Sequence, residues 1–162
     1  MRARAKTSAP AVAMATYTLT VTSELNKLAS IADFVADAAS AMGMDEETVY
    51  AMQLAVDEAC TNVIEYAYQG RRGQPVTVEC RDEGGQCIVV IRDRGRPFDP
   101  TLVPTPDLKA PVSKRRIGGL GIYLMRKLMD DVRFRFDPQT GNEVTLIKAI
   151  KPHAASQKAG SA

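Results

Sequence analysis

Tyr17, Leu19 and Val21 alternate with Thr16, Thr18 and Thr20, the period of a short strand with one buried face. Thr22 and Ser23 then offer N-cap oxygens. Leu25, Leu28, Ala32, Val35, Ala39 and Met42 follow at helical spacing, and Gly43 closes that helix. Asp45 caps a second helix whose core stripe is Val49, Met52, Val56, Ala59, Val63 and Ala67.

Val76, Val78 and Cys80 alternate with Thr77, Glu79 and Arg81, and Asp82-Glu83-Gly84-Gly85 turns the chain into the apolar run Cys87 to Ile91. This pattern predicts a hairpin whose second strand is buried. A helix is expected over Ile122 to Met129. Val132, Phe134 and Phe136 then alternate with Arg133 and Arg135, Pro138 to Gly141 turn the chain, and Val144 to Ile150 reads as the last strand. Between Asp99 and Ile117, Pro100, Pro104, Pro106 and Pro111 forbid a regular helix or central strand, so this stretch is expected to be a lid.

A chain of 162 residues with a net charge of +2 and 45% hydrophobic residues predicts one globular domain. Aromatics make up only 6% and Trp is absent, so the core must be built from Ala, Val, Leu, Ile and Met. The near-neutral balance gives no field suited to gripping nucleic acid. Cys60, Cys80 and Cys87 match neither a zinc motif nor a redox pair and read as buried thiols of a reducing compartment. The single histidine, His153, reads as a solvated tail residue.

No run reaches the ~18 apolar residues of a membrane span. Met1-Arg2-Ala3-Arg4-Ala5-Lys6 and the small-residue run to Ala15 look only superficially like an export signal, so the expected location is cytoplasmic. Met14 could serve as an alternative translation start. Residues 1–15 and 152–162 are expected to be disordered tails around a folded domain spanning 16–151.

Three short segments carry candidate chemistry. Glu58 and Asn62 stand one turn apart on the second helix, in the stretch Thr48 to Gly70 that contains no Lys or Arg. They are rotated from the core stripe by most of a right angle at ~100° per residue. A half-buried carboxylate without a basic partner calls for compensation, and a metal ion would supply it. Asp93 emerges from the buried strand beside Gly95, where a carboxylate can accept from an amino group and a bare backbone can approach a flat ring. Adenine offers that amino group. Gly118-Gly119-Leu120-Gly121 opens the next helix directly after Lys114-Arg115-Arg116, so exposed N–H groups, helix dipole and basic side chains together suit a polyphosphate. Neither a Walker loop nor a dinucleotide fingerprint fits the spacing.

In that order, Glu58-Ala59-Cys60-Thr61-Asn62, Asp93-Arg94-Gly95-Arg96-Pro97-Phe98 and Gly118-Gly119-Leu120-Gly121 resemble the asparagine box and the two glycine boxes of the GHKL (histidine kinase-like) ATPases. Within that superfamily the chain resembles the anti-sigma factor serine/threonine kinases, over about Thr16 to Lys151. The resemblance implies an α+β two-layer sandwich, the Bergerat ATP-binding fold: a mixed, mostly antiparallel sheet of about five strands covered on one face by about three helices, with an ATP lid over about 99–117. It also implies ATP and Mg²⁺ as ligands. Asn62 would hold the metal, Asp93 would bind the adenine amine and Gly95 would make room for the ring. Phe98, Lys114, Arg115, Arg116, Gly118, Gly119, Leu120 and Gly121 would complete the nucleotide site, and Glu58 would be the general base. Thr145 matches a nucleotide-contacting Thr on the last strands, although Asn142-Glu143 after Gly141 departs from the family's small-residue pattern.

The only His follows the final strand, unlike the phosphoacceptor of a histidine kinase, and a transducer domain has no room. What the resemblance implies is a stand-alone domain that forms a homodimer, sequesters a sigma factor and phosphorylates a STAS-type anti-anti-sigma antagonist on serine, touching neither nucleic acid nor membrane. One alternative is a non-catalytic ATP-binding regulator that sequesters its partner. Another is a nucleotide-free adaptor.

Overall fold

The computed structural model describes residues 14–111 and 119–151. The predicted tails, apart from Met14 and Ala15, lie outside the described residues, as do His153 and the stretch 112–118. Five strands form one sheet in the order β1-β2-β3-β5-β4: β1 (Thr16–Thr22), β2 (Pro75–Glu83), β3 (Gln86–Asp93), β4 (Asp131–Asp137) and β5 (Gly141–Ala149). The sheet expected to be mixed and mostly antiparallel is antiparallel at each of its four pairings. Among the described residues three α-helices pack with the sheet: α1 (Leu28–Ala41), α2 (Glu46–Asn62) and α3 (Gly119–Leu128).

Strand alternation decides which side chains meet the helices. Val76, Val78, Cys80, Cys87, Val89, Ile91 and Leu146 from the sheet join Ile31, Val35, Met52, Val56, Ala59, Ile122 and Met125 from the helices in one core. β3 is buried on both faces, because Ile88 and Val90 pack with Ile147 in a small cluster on the opposite side. That is why the Cys87 to Ile91 run is continuously apolar rather than alternating. Around this outer cluster Arg81, Glu79, Arg92, Glu143 and Arg135 form a ladder of ion pairs across four strands.

The end of α1 and the start of α2 follow their predicted signals, whereas the start of α1 does not. Asp45 caps α2 by accepting from the Thr48 N–H at 2.8 Å, and Gly43 leaves α1 at a φ of +87°. Ser23 caps nothing. Its hydroxyl donates to the Arg71 carbonyl and accepts from the Gln74 N–H at 3.0 Å, tying the end of β1 to the turn before β2. A single 3-10 turn, Leu25–Lys27, therefore precedes α1, which starts three residues later than the helical spacing suggested.

α2 does not simply end at Asn62. It continues through Val63–Ala67 as a π-helical turn, and the Tyr68 hydroxyl then donates to the Pro75 carbonyl at 2.6 Å while accepting from the Arg94 N–H at 2.8 Å. One buried phenol thus holds together the exits of α2 and β3 and the entry to β2. All three cysteines are buried free thiols, and burial pushes Cys80 and Cys87 each up to about 12. Among the described residues no helix is long and apolar enough to cross a membrane.

Candidate nucleotide site

Asp93 is the last residue of β3 and stays 5% exposed. Its Oδ1 accepts from the Gly95 N–H and from Asn142 Nδ2, each at 2.8 Å. Burial raises its pKa, and those two hydrogen bonds oppose the rise by favouring the carboxylate. Asn142 faces it across the sheet in the β3–β5 register. Gly141 makes that approach possible: its φ is +97°, and a Cβ there would lie 2.5 Å from the Asp93 carbonyl oxygen.

Gly95 is required by a different crowding. A Cβ on it would stand 2.5 Å from both the carbonyl carbon and the carbonyl oxygen of Ala67. The next residue, Arg96, donates its N–H to that Ala67 oxygen at 2.8 Å. The π-helical turn and the loop after β3 are therefore packed backbone against backbone, and the glycine serves this contact whatever ring it admits.

An apolar slot opens beside this junction. Ala59 of α2, Val63 of the π-helical turn, Met125 of α3, Phe134 of β4 and Val144 of β5 form walls, and Phe98 and Val103 close it from the loop side. Asn62, Asp93 and Asn142 bring polar groups into it from α2, β3 and β5, with Tyr66 and Arg96 also lining it. A flat heteroaromatic ring with an exocyclic amine fits such a lining.

Glu58 lies beside this slot and faces α3. A Cβ on Gly121 would be 2.6 Å from Glu58 Oε2 and 3.8 Å from Asn62 Nδ2. Among the described residues Glu58 has no ion-pair partner, and burial, followed by the neighbouring Asp57 charge, holds its pKa above the ordinary carboxylate value. Gly119, Leu120 and Gly121 belong to α3 itself (Gly119–Leu128), which the helical spacing placed from Ile122. Gly119 packs against the lid, where a Cβ would lie 3.2 Å from the Pro104 carbonyl oxygen. The lid opens with a short turn, Pro100–Leu102, capped by the Asp99 carboxylate. Leu120 points outward at 40% exposure. Lys114, Arg115, Arg116 and Gly118 lie outside the described residues.

Thr145 is corrected. Its register partner on β3 is Val90, a member of the outer cluster, so Thr145 faces away from the helices and the slot. Asn142, treated in the sequence as a departure from pattern, supplies the polar group on β5. In the sequence Met125 falls inside the expected helix, Phe134 in strand alternation and Val144 in the last strand, and nothing in their spacing marks them as slot walls. The signal for Asn142 existed only in the pairing of Asp93 with Asn142, which needs the register of two strands far apart in sequence.

Residues 21–148 match the model of the histidine kinase-like ATPase domain, and the chain belongs to that family. It is 32% identical over 127 residues to the serine-protein kinase RsbW of Listeria monocytogenes serovar 1/2a, covering 76% of this chain and 80% of that one. To RsbW of Bacillus licheniformis it is 34% identical over 118 residues, covering 69% and 71%. Within the ATPase-domain family it therefore groups with the RsbW serine-protein kinases. In fold it resembles the RsbU and RsbW domains of Rv1364c from Mycobacterium tuberculosis, with a TM-score of 0.60 at 17% identity, over 85% of this chain and 33% of that longer one.

Proposed function

We propose that this protein transfers the γ-phosphoryl group of ATP to a serine hydroxyl of an antagonist protein, and that it holds a sigma factor when the antagonist is phosphorylated. The observation that carries the catalytic part is Glu58, a carboxylate without an ion-pair partner among the described residues, set against the Gly121 backbone. Family membership and the RsbW relatives support the use of ATP and the choice of serine.

In this reading Asp93 accepts from the adenine amine, the apolar walls hold the ring and the start of α3 with its glycines meets the phosphates. Oxygen donors suit a Mg²⁺ ion carried in on phosphate oxygens. Asn62 would contribute its amide oxygen. When bound, the ion neutralises phosphate charge. Glu58 orients the incoming serine hydroxyl and takes its proton as the serine oxygen–phosphorus bond forms and the bond to the ADP leaving oxygen breaks. Homodimerisation, the sigma factor and the STAS-type antagonist rest on the likeness to the anti-sigma factor kinases.

The test is incubation of the protein and its Glu58→Gln variant with Mg-ATP and a candidate antagonist. Phosphoserine with the first and its loss with the second, at unchanged ATP-dependent thermal stabilisation, supports a kinase. No phosphoserine from either protein would reduce the protein to an ATP-gated binder, and equal phosphoserine from both would take the general-base role away from Glu58.

A further inference from the structure

Asn142 stands 7% exposed at the start of β5, and one side-chain nitrogen serves three acceptors. Nδ2 donates to Asp93 Oδ1 at 2.8 Å, to the Gly95 carbonyl at 3.0 Å and to the Arg96 carbonyl at 3.3 Å. Turning the amide over would set its oxygen against three acceptors, so the hydrogen-bond network fixes its orientation. The Gly95 N–H also falls on Asp93 Oδ1. Among the described residues no hydrogen bond reaches Oδ2. A buried carboxylate that would otherwise rotate about its terminal torsion is thereby held with one oxygen engaged and the other free beside the slot.

We propose that Asn142 is the positioning residue of the base-reading carboxylate: it clamps Asp93 Oδ1 to the Gly95-Arg96 backbone so that Oδ2 is presented to a purine exocyclic amine. This assignment rests on the nucleotide reading given above and adds to it the source of discrimination for an amino-purine. Asn142 acts through Asp93, not on the phosphates or the ring, so its loss should change which base is preferred rather than nucleotide binding in general.

The measurement is the ratio of dissociation constants for ATP and for purine riboside triphosphate, which lacks the exocyclic amine, taken by calorimetry on the full chain. The wild-type protein should prefer ATP on the order of 10-fold or more, as a hydrogen bond to a charged group supplies. In Asn142→Ala the ratio should collapse to within about 3-fold of unity, mainly by loss of ATP affinity while purine riboside triphosphate binds nearly as before. Should Asn142→Ala lose cooperative unfolding, Asn142→Thr is the second variant: its single hydroxyl hydrogen can serve one of the three acceptors, and the ratio should fall between the other two. A variant that weakens both nucleotides equally, or that keeps the full preference, overturns the positioning role. If the wild-type protein binds ATP without preferring it, the role assigned to Asp93 fails and the inference with it. If it binds neither nucleotide, the nucleotide reading itself is overturned.

Discussion

Glu58 and Gly121 share one small volume: a β-carbon on the glycine would come within 2.6 Å of Glu58 Oε2. The carboxylate lies where α2 and α3 pack, and only a residue without a side chain lets it remain there. Replacing Gly121 by Ala is expected to displace Glu58 and lower kcat by at least 10-fold. Helix propensity alone would make the same change favourable by roughly 0.5–1 kcal/mol. Loss of turnover without a matching loss of melting temperature, in a phosphotransfer assay beside a thermal scan, would separate the two effects. A variant with unaltered kcat would show that this proximity has no bearing on the chemistry.

The pH profile follows from the same carboxylate. A general base works only when ionised, so activity should rise with pH through the Glu58 pKa. Burial and the Asp57 charge raise that pKa above 4.5, which places the acidic limb of kcat above pH 4.5. Glu58→Gln should lack this limb and lose about 10²- to 10⁴-fold in rate. Phosphoserine formation measured from pH 4.5 upward gives the comparison, and a limb that survives in the Gln variant would assign it to another group.

Gly95→Ala should be destabilising by about 1–3 kcal/mol, and more if the backbone cannot shift, because the added carbon meets the Ala67 carbonyl group rather than a flexible side chain. Displacing Ala67 also endangers its bond from Arg96. Urea unfolding reads the loss, and nucleotide affinity should fall with it. A wild-type midpoint would mean that the loop after β3 is free to move away.

Tyr68→Phe removes one hydroxyl and strands two backbone groups, the Pro75 carbonyl and the Arg94 N–H. Each buried group left without a partner costs about 1–3 kcal/mol. The loss in unfolding free energy should therefore exceed that of a surface substitution, and hydrogen exchange at Arg94 should accelerate. Protection at Arg94 equal to that of the wild-type protein would contradict the bridging role.

Periodicity revealed the strands, the two long helices and the third, because each element buries a face and repeats it. The boundaries moved where local rules met tertiary demands. Ser23 has the chemistry of an N-cap but is used for a link to Arg71 and Gln74, and Gly119 and Gly121, expected before α3, lie within it. Glu58, Asn62 and Asp93 could be nominated because each stands in a compact segment whose composition is unusual, and the structure brings Asn62 and Asp93 to one slot. Asn142 could not, and Thr145 was chosen in its place. Those two residues lie three apart on one strand and thus on opposite faces, a distinction that only the register with β3 decides.

Asp93 and Asn142 lie 49 positions apart in the chain, and α3 and β4 both fall within the segment that their pairing closes. The β2–β3 hairpin can form locally, whereas joining β5 to β3 carries the entropy of a long loop. The proposed base-reading carboxylate and the amide that holds it come together only after this distant closure. Any ligand requiring both would select chains whose topology is complete, and would stabilise that population by RT ln(1 + [L]/Kd). Nucleotide would then act as a late checkpoint on folding: a chain with its hairpin and helices formed but β5 undocked has no adenine site to offer.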